Sequence, residues 1–320
     1  MCRIVGIVHT SDAIDYSDIV QKMTRSLSYA GPDNQGVYTD ESITFGHRRL
    51  SIIDLSTAAN QPMQWEKYVI TYNGEIYNFQ SVKKELSTNG YTFFSNSDTE
   101  VVVKAFDYWS YDAVQKFRGM FAFALWDTIE KKLLLCRDRV GAKPLFWYQD
   151  SSCFIFASEL KVFHHFPNFD KTIDLNAVSL FLQQGYISAP HCIFEKVKKL
   201  EPGSFLEIDV EKNVRIWKYW GIEKIYNQSS VSTASESEIA EQLESILKES
   251  FKLRLVSDVP VGMFLSGGID SSLVTAMLQK STNRQIKTFT IGFEEPKYNE
   301  APYAKAIAQQ LETDHIRCWG

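Results

Sequence analysis

The stretch Tyr68-Val69-Ile70-Thr71-Tyr72, followed at once by Asn73-Gly74-Glu75, sets the reading of the first part of the chain. A short run of β-branched and aromatic residues bounded by Asn and Gly is a strand signal, and Asn-Gly is also the strongest short-range mark of a hairpin turn. Similar runs recur to about Trp220, among them Phe154-Ile155-Phe156. Helical patches interrupt them. Over residues 17–29, Ile19, Met23 and Leu27 recur every four positions, with Ser17 or Asp18 as cap. Asp174 caps a second patch that runs to Gln184, with Val178, Phe181 and Leu182 as its apolar face and Gly185 as its stop. Many strands with a few helices predict a mixed sheet-and-helix layered domain over residues 1–220.

Residues 221–237 include Gln228-Ser229-Ser230-Val231-Ser232-Thr233, a polar stretch read as a linker. The texture then changes over residues 238–320. Ile239, Leu243, Ile246, Leu247 and Phe251 follow helical spacing. A strand at 259–265, a glycine turn, a helix at 271–280, a strand at 287–291 and a helix carrying Tyr303, Ala304, Ile307 and Leu311 come next. Alternating strand and helix predicts a parallel, doubly wound sheet. Two clear strands are fewer than such a sheet needs to be covered on both faces, so this second domain is expected to be incomplete.

Composition excludes several classes. Of 320 residues, 44% are hydrophobic and 23% charged, the balance of a folded soluble chain rather than a disordered one. A net charge of −5 argues against a nucleic-acid-binding surface. No apolar run is long enough to span a bilayer, and the N-terminus lacks a signal-peptide core, so no membrane partner and a cytoplasmic location are expected. Cysteines 2, 136, 153, 192 and 318 form no CxxC pair, which predicts reduced thiols. His164-His165 lacks a further ligand at metal-binding spacing.

Cys2 becomes the first residue if Met1 is removed. It then carries a thiol and an α-amine, whose ordinary pKa of about 7.7–8.0 leaves part of it a base at neutral pH. The alternative is a buried core cysteine. Asn73 can offer a side-chain amide and Gly74 an approachable N–H to a developing oxyanion, or the pair can simply make a turn. Arg49 could bind a carboxylate as a bidentate fork. Asp98 could bind an ammonium group, although Ser97-x-x-Glu100 before Val101-Val102-Val103 also reads as a capping box. In the second region, Leu265-Ser266-Gly267-Gly268-Ile269-Asp270-Ser271-Ser272 sits between strand and helix. Glycines, hydroxyls and a helix start suit phosphate oxygens, and Asp270 suits Mg²⁺ beside them. The run lacks the Gly-Lys-Ser/Thr of a Walker loop.

These runs occur in the order and spacing of a known family. Met1-Cys2-Arg3-Ile4-Val5-Gly6, Gly31-Pro32-Asp33, Arg49-Leu50-Ser51-Ile52-Ile53-Asp54, Asn73-Gly74-Glu75-Ile76-Tyr77-Asn78 and Ser97-Asp98-Thr99-Glu100 resemble class II glutamine amidotransferase domains. Gly119-Met120-Phe121-Ala122-Phe123-Ala124, Arg137-Asp138-Arg139, Gly141-x-Lys143-Pro144-Leu145 and Ala157-Ser158-Glu159-Leu160-Lys161 continue the match. Ser266-Gly267-Gly268-x-Asp270-Ser271 resembles the pyrophosphate loop of ATP pyrophosphatases, and Asp258-Val259-Pro260-Val261-Gly262 narrows the likeness to glutamine-hydrolysing asparagine synthetases.

The resemblance implies an α+β N-terminal-nucleophile fold, a four-layer αββα sandwich, followed by the start of an α/β ATP-pyrophosphatase domain. It implies Cys2 as nucleophile, Asn73 and Gly74 as oxyanion hole, and Arg49, Leu50, Ser51, Ile52, Ile53, Asn73, Gly74, Glu75 and Asp98 around glutamine. It also implies ATP at Leu265, Ser266, Gly267, Gly268, Asp270, Ser271, Ser272 and Ile291, with Mg²⁺ at Asp270. Glutamine, ATP and aspartate are the implied small-molecule partners, and a homodimer is compatible with the pattern. A related amidotransferase with another acceptor, or a glutaminase or regulatory binding module without synthetase activity, is the alternative. One position departs: the family's His-Arg-Gly-Pro-Asp is Tyr29-Ala30-Gly31-Pro32-Asp33 here, without the arginine.

Overall fold

A computed structural model describes residues 2–9, 15–167, 169–228, 233–282 and 284–319, which divide into two units, 1–229 and 230–320. Met1 and residues 229–232 of the expected linker lie outside the described residues. The strands of the first unit are β1 (Arg3–His9), β2 (Asn34–Thr39), β3 (Ile43–Arg49), β4 (Met63–Trp65), β5 (Tyr68–Ile76) and β6 (Gly119–Asp127). They continue as β7 (Lys132–Arg137), β8 (Phe146–Gln149), β9 (Cys153–Ala157), β10 (Val197–Lys199), β11 (Ser204–Asp209) and β12 (Val214–Lys218). Two six-stranded antiparallel sheets result, ordered β10-β8-β9-β1-β3-β2 and β12-β11-β7-β6-β5-β4.

Period-two alternation decides how the layers stack. On β1, Ile4 and Val8 face inward with Phe45 and Phe156 and meet Val69, Ala122, Trp126 and Leu135 of the other sheet. Val5 and Ile7 face outward onto α1 (Tyr16–Arg25), against Ile19, Val20 and Met23. On the far side, α2 (Phe79–Thr88), α3 (Asp98–Trp109) and the single-turn α4 (Ala113–Lys116) follow β5 in the chain. Phe106 of α3 sets its ring edge-on against Phe123 of β6 and Phe205 of β11, with centroids 5.3 and 6.3 Å apart. Helix, sheet, sheet and helix thus form four layers, the αββα sandwich.

Local expectations fared unevenly. The cap of α1 is Asp15, whose Oδ1 accepts the Asp18 N–H at 3.0 Å, not Ser17 or Asp18. Helix α5 (Leu175–Gln184) has the predicted Asp174 cap and ends at Gly185, which takes φ 78°. Its predicted apolar face is not a core face, because Phe181 and Leu182 are exposed and Ala177 is the buried residue. Part of the expected linker is helix α6 (Ile222–Gln228).

In the second unit, α7 (Glu236–Leu253) starts with a capping box between Ser235 and Glu238. Strand β13 (Gly262–Phe264), helix α8 (Ile269–Lys280), strand β14 (Lys287–Gly292), helix α9 (Ala301–Gln310) and strand β15 (Asp314–Trp319) follow. All pairs in β13-β14-β15 are parallel, as alternation predicted. The strand expected at 259–265 is shorter because Pro260 cannot donate to a ladder. Among the described residues no helix is long and apolar enough to cross a membrane.

Candidate active site

Asn73 and Gly74 lie inside β5, paired with Ala122 and Phe121 of β6, so the alternative reading of the pair as a hairpin turn does not hold. Glycine is what lets the strands close here. A Cβ on residue 74 would stand 2.4 Å from the Met120 carbonyl oxygen and 2.7 Å from Phe121 Cα. Alternate N–H groups of a strand point to the same side. The Tyr72 N–H donates to Gln61 Oε1 at 2.7 Å and the Ile76 N–H to Asp98 Oδ2 at 3.0 Å. The Gly74 N–H lies between them, on the edge turned away from β6. Asn73 is 1% exposed, and neither Oδ1 nor Nδ2 has a hydrogen-bond partner. Buried amides are almost always paired, so two idle atoms on one side chain point to a bound group.

Cys2 stands at the start of β1 and faces the same cleft, which holds about 480 Å³ of empty space open to solvent. Its Sγ accepts the Leu50 N–H at 3.4 Å and lies 3.6 Å from the Leu50 carbonyl oxygen. Burial pushes the thiol above its ordinary pKa, while the Leu50 hydrogen bond works the other way. Cys2, Arg49, Leu50, Ile52, Ile53, Asn73, Gly74, Glu75 and Asp98 all line the cleft, and Ser51 does not. The Ser51 N–H is donated to Asp33 Oδ2 at 2.6 Å, so Gly31-Pro32-Asp33 braces the turn instead.

Arg49 has a different posture from the one expected. Its Nη1 donates to Ser56 O and Asn60 Oδ1, both at 2.8 Å, and its Nη2 to the carbonyls of Ile53 and Asp54. The fork holds the 53–60 loop, and a carboxylate would have to displace those carbonyls to meet it bidentately. Asp98 is buried. Its Oδ2 accepts from Tyr72 OH at 2.7 Å as well as from Ile76, and burial raises its carboxyl against those bonds. Ser97 does cap α3, accepting the Thr99 N–H at 3.1 Å. Glu100 does not close the predicted box, because it accepts from Phe94, Ser95 and Lys104.

In the second unit the loop after β13 is built from its own hydroxyls. Gly267 takes φ 84° and presses so close to α9 that a Cβ would meet Tyr303 Cβ at 2.7 Å. Ser266 and Ser271 hydroxyls are 2.9 Å apart, Gly268 caps α8 without a side chain, and Ser272 Oγ is buried without a partner. An idle hydroxyl at a bare helix start fits a phosphate oxygen. Asp270 lies in the first turn, and no cluster of three His, Cys, Asp or Glu stands ready for a metal among the described residues. One carboxylate suits Mg²⁺ only in company with phosphate oxygens. Leu265 packs its side chain on Ala304 and Ala308 in the core and donates its N–H to Phe289 O at 2.8 Å, whereas Ile291 is half exposed.

Residues 1–220 match the family model described as a glutamine amidotransferase domain. The chain belongs to the glutamine amidotransferase family. Residues 242–319 match the asparagine synthase family in addition. A putative glutamine-hydrolysing asparagine synthetase 2 of Methanocaldococcus jannaschii is 35% identical over 98% of this chain and 64% of its own length. Asparagine synthetase 1 of Bacillus subtilis is 35% identical over 99% of this chain and 50% of its own. This amidotransferase chain therefore spans between half and two thirds of those relatives. A solved glutamine phosphoribosylpyrophosphate amidotransferase from B. subtilis, complexed with ADP and GMP, superposes with a TM-score of 0.51 at 15% identity. It covers 99% of this chain and 65% of that one, a likeness of fold alone.

Three further cleft residues of this family member take no site role from the motifs. Gln61 bridges the Tyr72 N–H and Thr99 Oγ1, the latter at 3.1 Å. Tyr72 ends the apolar run that marks the strand, and its hydroxyl holds Asp98. Lys143 is 2% exposed and lines the cleft; burial lowers its pKa, with Glu75 opposing. Glu75 is raised by burial and by Asp98, with Lys143 opposing. The signal for Lys143 was a lysine inside an otherwise structural run, Gly141-Ala142-Lys143-Pro144.

Proposed function

We propose that the first unit hydrolyses glutamine at Cys2 and that the ammonia serves an asparagine-forming ligation at the ATP loop of the second. The observation that carries the first half is the Asn73 amide, buried and unpaired beside the Gly74 N–H in the cleft of Cys2. Once Met1 is removed, the Cys2 α-amine takes the thiol proton, which burial otherwise holds in place. The Sγ–C bond forms at the glutamine carboxamide, and the carbonyl electrons move to oxygen between Asn73 Nδ2 and the Gly74 N–H. Collapse expels the amide nitrogen, which leaves as ammonia with the stored proton. Water then adds to the thioester, releasing glutamate and restoring the thiol.

Asp98 and Glu75 supply negative charge for the substrate ammonium group, while Arg49 and Lys143 supply positive charge for its carboxylate. In the second unit Ser266, Gly267, Gly268, Ser271 and Ser272 would cradle the pyrophosphate of ATP, with Ile291 nearby, and Asp270 would hold Mg²⁺. Bound there, Mg²⁺ would supply charge neutralisation for the adenylation of an aspartate carboxylate.

Measuring glutamate release with and without ATP and aspartate, and asparagine in the same mixtures, tests both halves. Glutamate with asparagine supports the full proposal. Glutamate alone supports a glutaminase without synthetase activity, and no glutamate rejects the Cys2 reading.

A further inference from the structure

We infer that Arg3 is a positioning residue for the nucleophile, clamping the Cys2 carbonyl so that the thiol keeps one direction toward the oxyanion donors. The inference rests on the glutaminase reading above and adds a residue to it. A chain that starts at Cys2 has no preceding residue to hold that end, so the Cys2 carbonyl becomes its nearest backbone anchor. Arg3 Nη1 donates to that carbonyl oxygen at 3.0 Å.

The clamp is itself held. Arg3 Nε pairs with Glu159, and the two side chains are only 16% and 20% exposed. Tyr29 OH donates to the same carboxylate, 2.5 Å from Oε2, and Lys161 Nζ stands 3.6 Å from Oε2 and 3.8 Å over the Tyr29 ring. One residue further on, the Ile4 N–H donates to Ser158 Oγ at 3.0 Å and the Ser158 N–H to Ile4 O at 2.9 Å. The 158–161 segment therefore grips both the backbone and the side chain next to the nucleophile.

Charge makes the arrangement specific. In the β1–β3 register Arg3 stands directly opposite Arg48, a like-charge pair that disfavours a sheet. Arg48 turns away to Gly31 O at 2.8 Å and Gln35 Oε1 at 3.1 Å, leaving Glu159 to neutralise Arg3. Position 30 carries alanine, and the guanidinium that donates to the nucleophile's backbone comes from position 3.

The test uses the full chain with Arg3→Met, Arg3→Lys and Glu159→Gln. Glutaminase kcat and KM, melting temperature, Met1 removal by mass spectrometry and the alkylation rate of Cys2 by iodoacetamide are measured for each. A misaimed nucleophile loses turnover steeply, so Arg3→Met should lower kcat by about 10- to 100-fold. KM should stay within about twofold, with Met1 removal and iodoacetamide rate unchanged and melting temperature lowered by no more than a few degrees, because Glu159 keeps Tyr29 and Lys161 as partners. Arg3→Lys should recover part of the rate, and Glu159→Gln should fall between. Unchanged kcat in Arg3→Met with an active parent overturns this inference alone, as does a loss that follows melting temperature or Met1 retention. A parent chain that releases no glutamate overturns the glutaminase reading and this inference together.

Discussion

Truncating Asn73 should separate stability from activity. Its Oδ1 and Nδ2 are buried without partners, and an unsatisfied buried polar group costs about 1–3 kcal/mol. Asn73→Ala removes both groups and loses the burial of one carbon, worth about 0.8 kcal/mol. The balance is neutral to stabilising by roughly 2 kcal/mol, or no change to a rise of a few degrees in melting temperature. Activity should move the other way. Loss of one oxyanion donor typically lowers kcat by about 10²–10³-fold, equivalent to roughly 2.7–4 kcal/mol of transition-state stabilisation. Thermal unfolding beside a coupled glutamate assay reads both. A variant destabilised by more than about 1 kcal/mol would mean that the side chain is a packing element rather than a group held in reserve. A kcat within about tenfold of the parent would refute its role at the oxyanion.

Gly74→Ala should destabilise by about 1–3 kcal/mol, since its Cβ would meet β6 backbone at 2.4 Å; an unchanged urea midpoint would count against that close approach. His47 is fully buried, and burial lowers its pKa to about 3, with the Tyr72 carbonyl bond opposing. Its depressed folded value means that stability is present above the unfolded value near 6.5 and is lost toward pH 3, by up to about 1.4 kcal/mol per pH unit. His47→Gln should flatten that part of the melting temperature–pH curve, and curves that stay parallel from pH 7 to 3.5 would reject the assignment. Asp270→Asn should weaken Mg²⁺-dependent nucleotide binding about tenfold by calorimetry while leaving Mg²⁺-free binding alone; equal affinities in Mg²⁺ would remove Asp270 from the metal.

What was legible in the chain was what lies contiguously in it. Cys2, Asn73, Gly74 and Asp98 sit in short runs whose chemistry can be read residue by residue, Glu75 follows from the family resemblance, and all of them line one cleft. Gln61 and Tyr72 enter it through tertiary contacts that no local spacing announces, whereas Lys143 stands in a motif run that gives it no role by itself. Asn73-Gly74 can also be read locally as a turn, yet both residues pair with β6 in an unbroken strand that closes tightly behind Gly74. Arg49 marks a limit of local reading: the residue type suits a carboxylate, but only the fold shows that its fork also holds four carbonyl and amide acceptors in the 53–60 loop. Helix periodicity found α5 and its caps, yet not that Phe181 and Leu182 stay exposed, because burial depends on what lies opposite. Strand β15 was missed since its residues, apart from half-buried His315, are exposed and carry little apolar alternation.

Peptide mass spectrometry after brief exposure to an electrophilic glutamine analogue tests the account most directly. It should find a single adduct, on the sulfur of Cys2, in a peptide whose first residue is that cysteine with an unmodified amine. An adduct on Cys136, Cys153, Cys192 or Cys318, or a labelled peptide that still carries Met1, would contradict it.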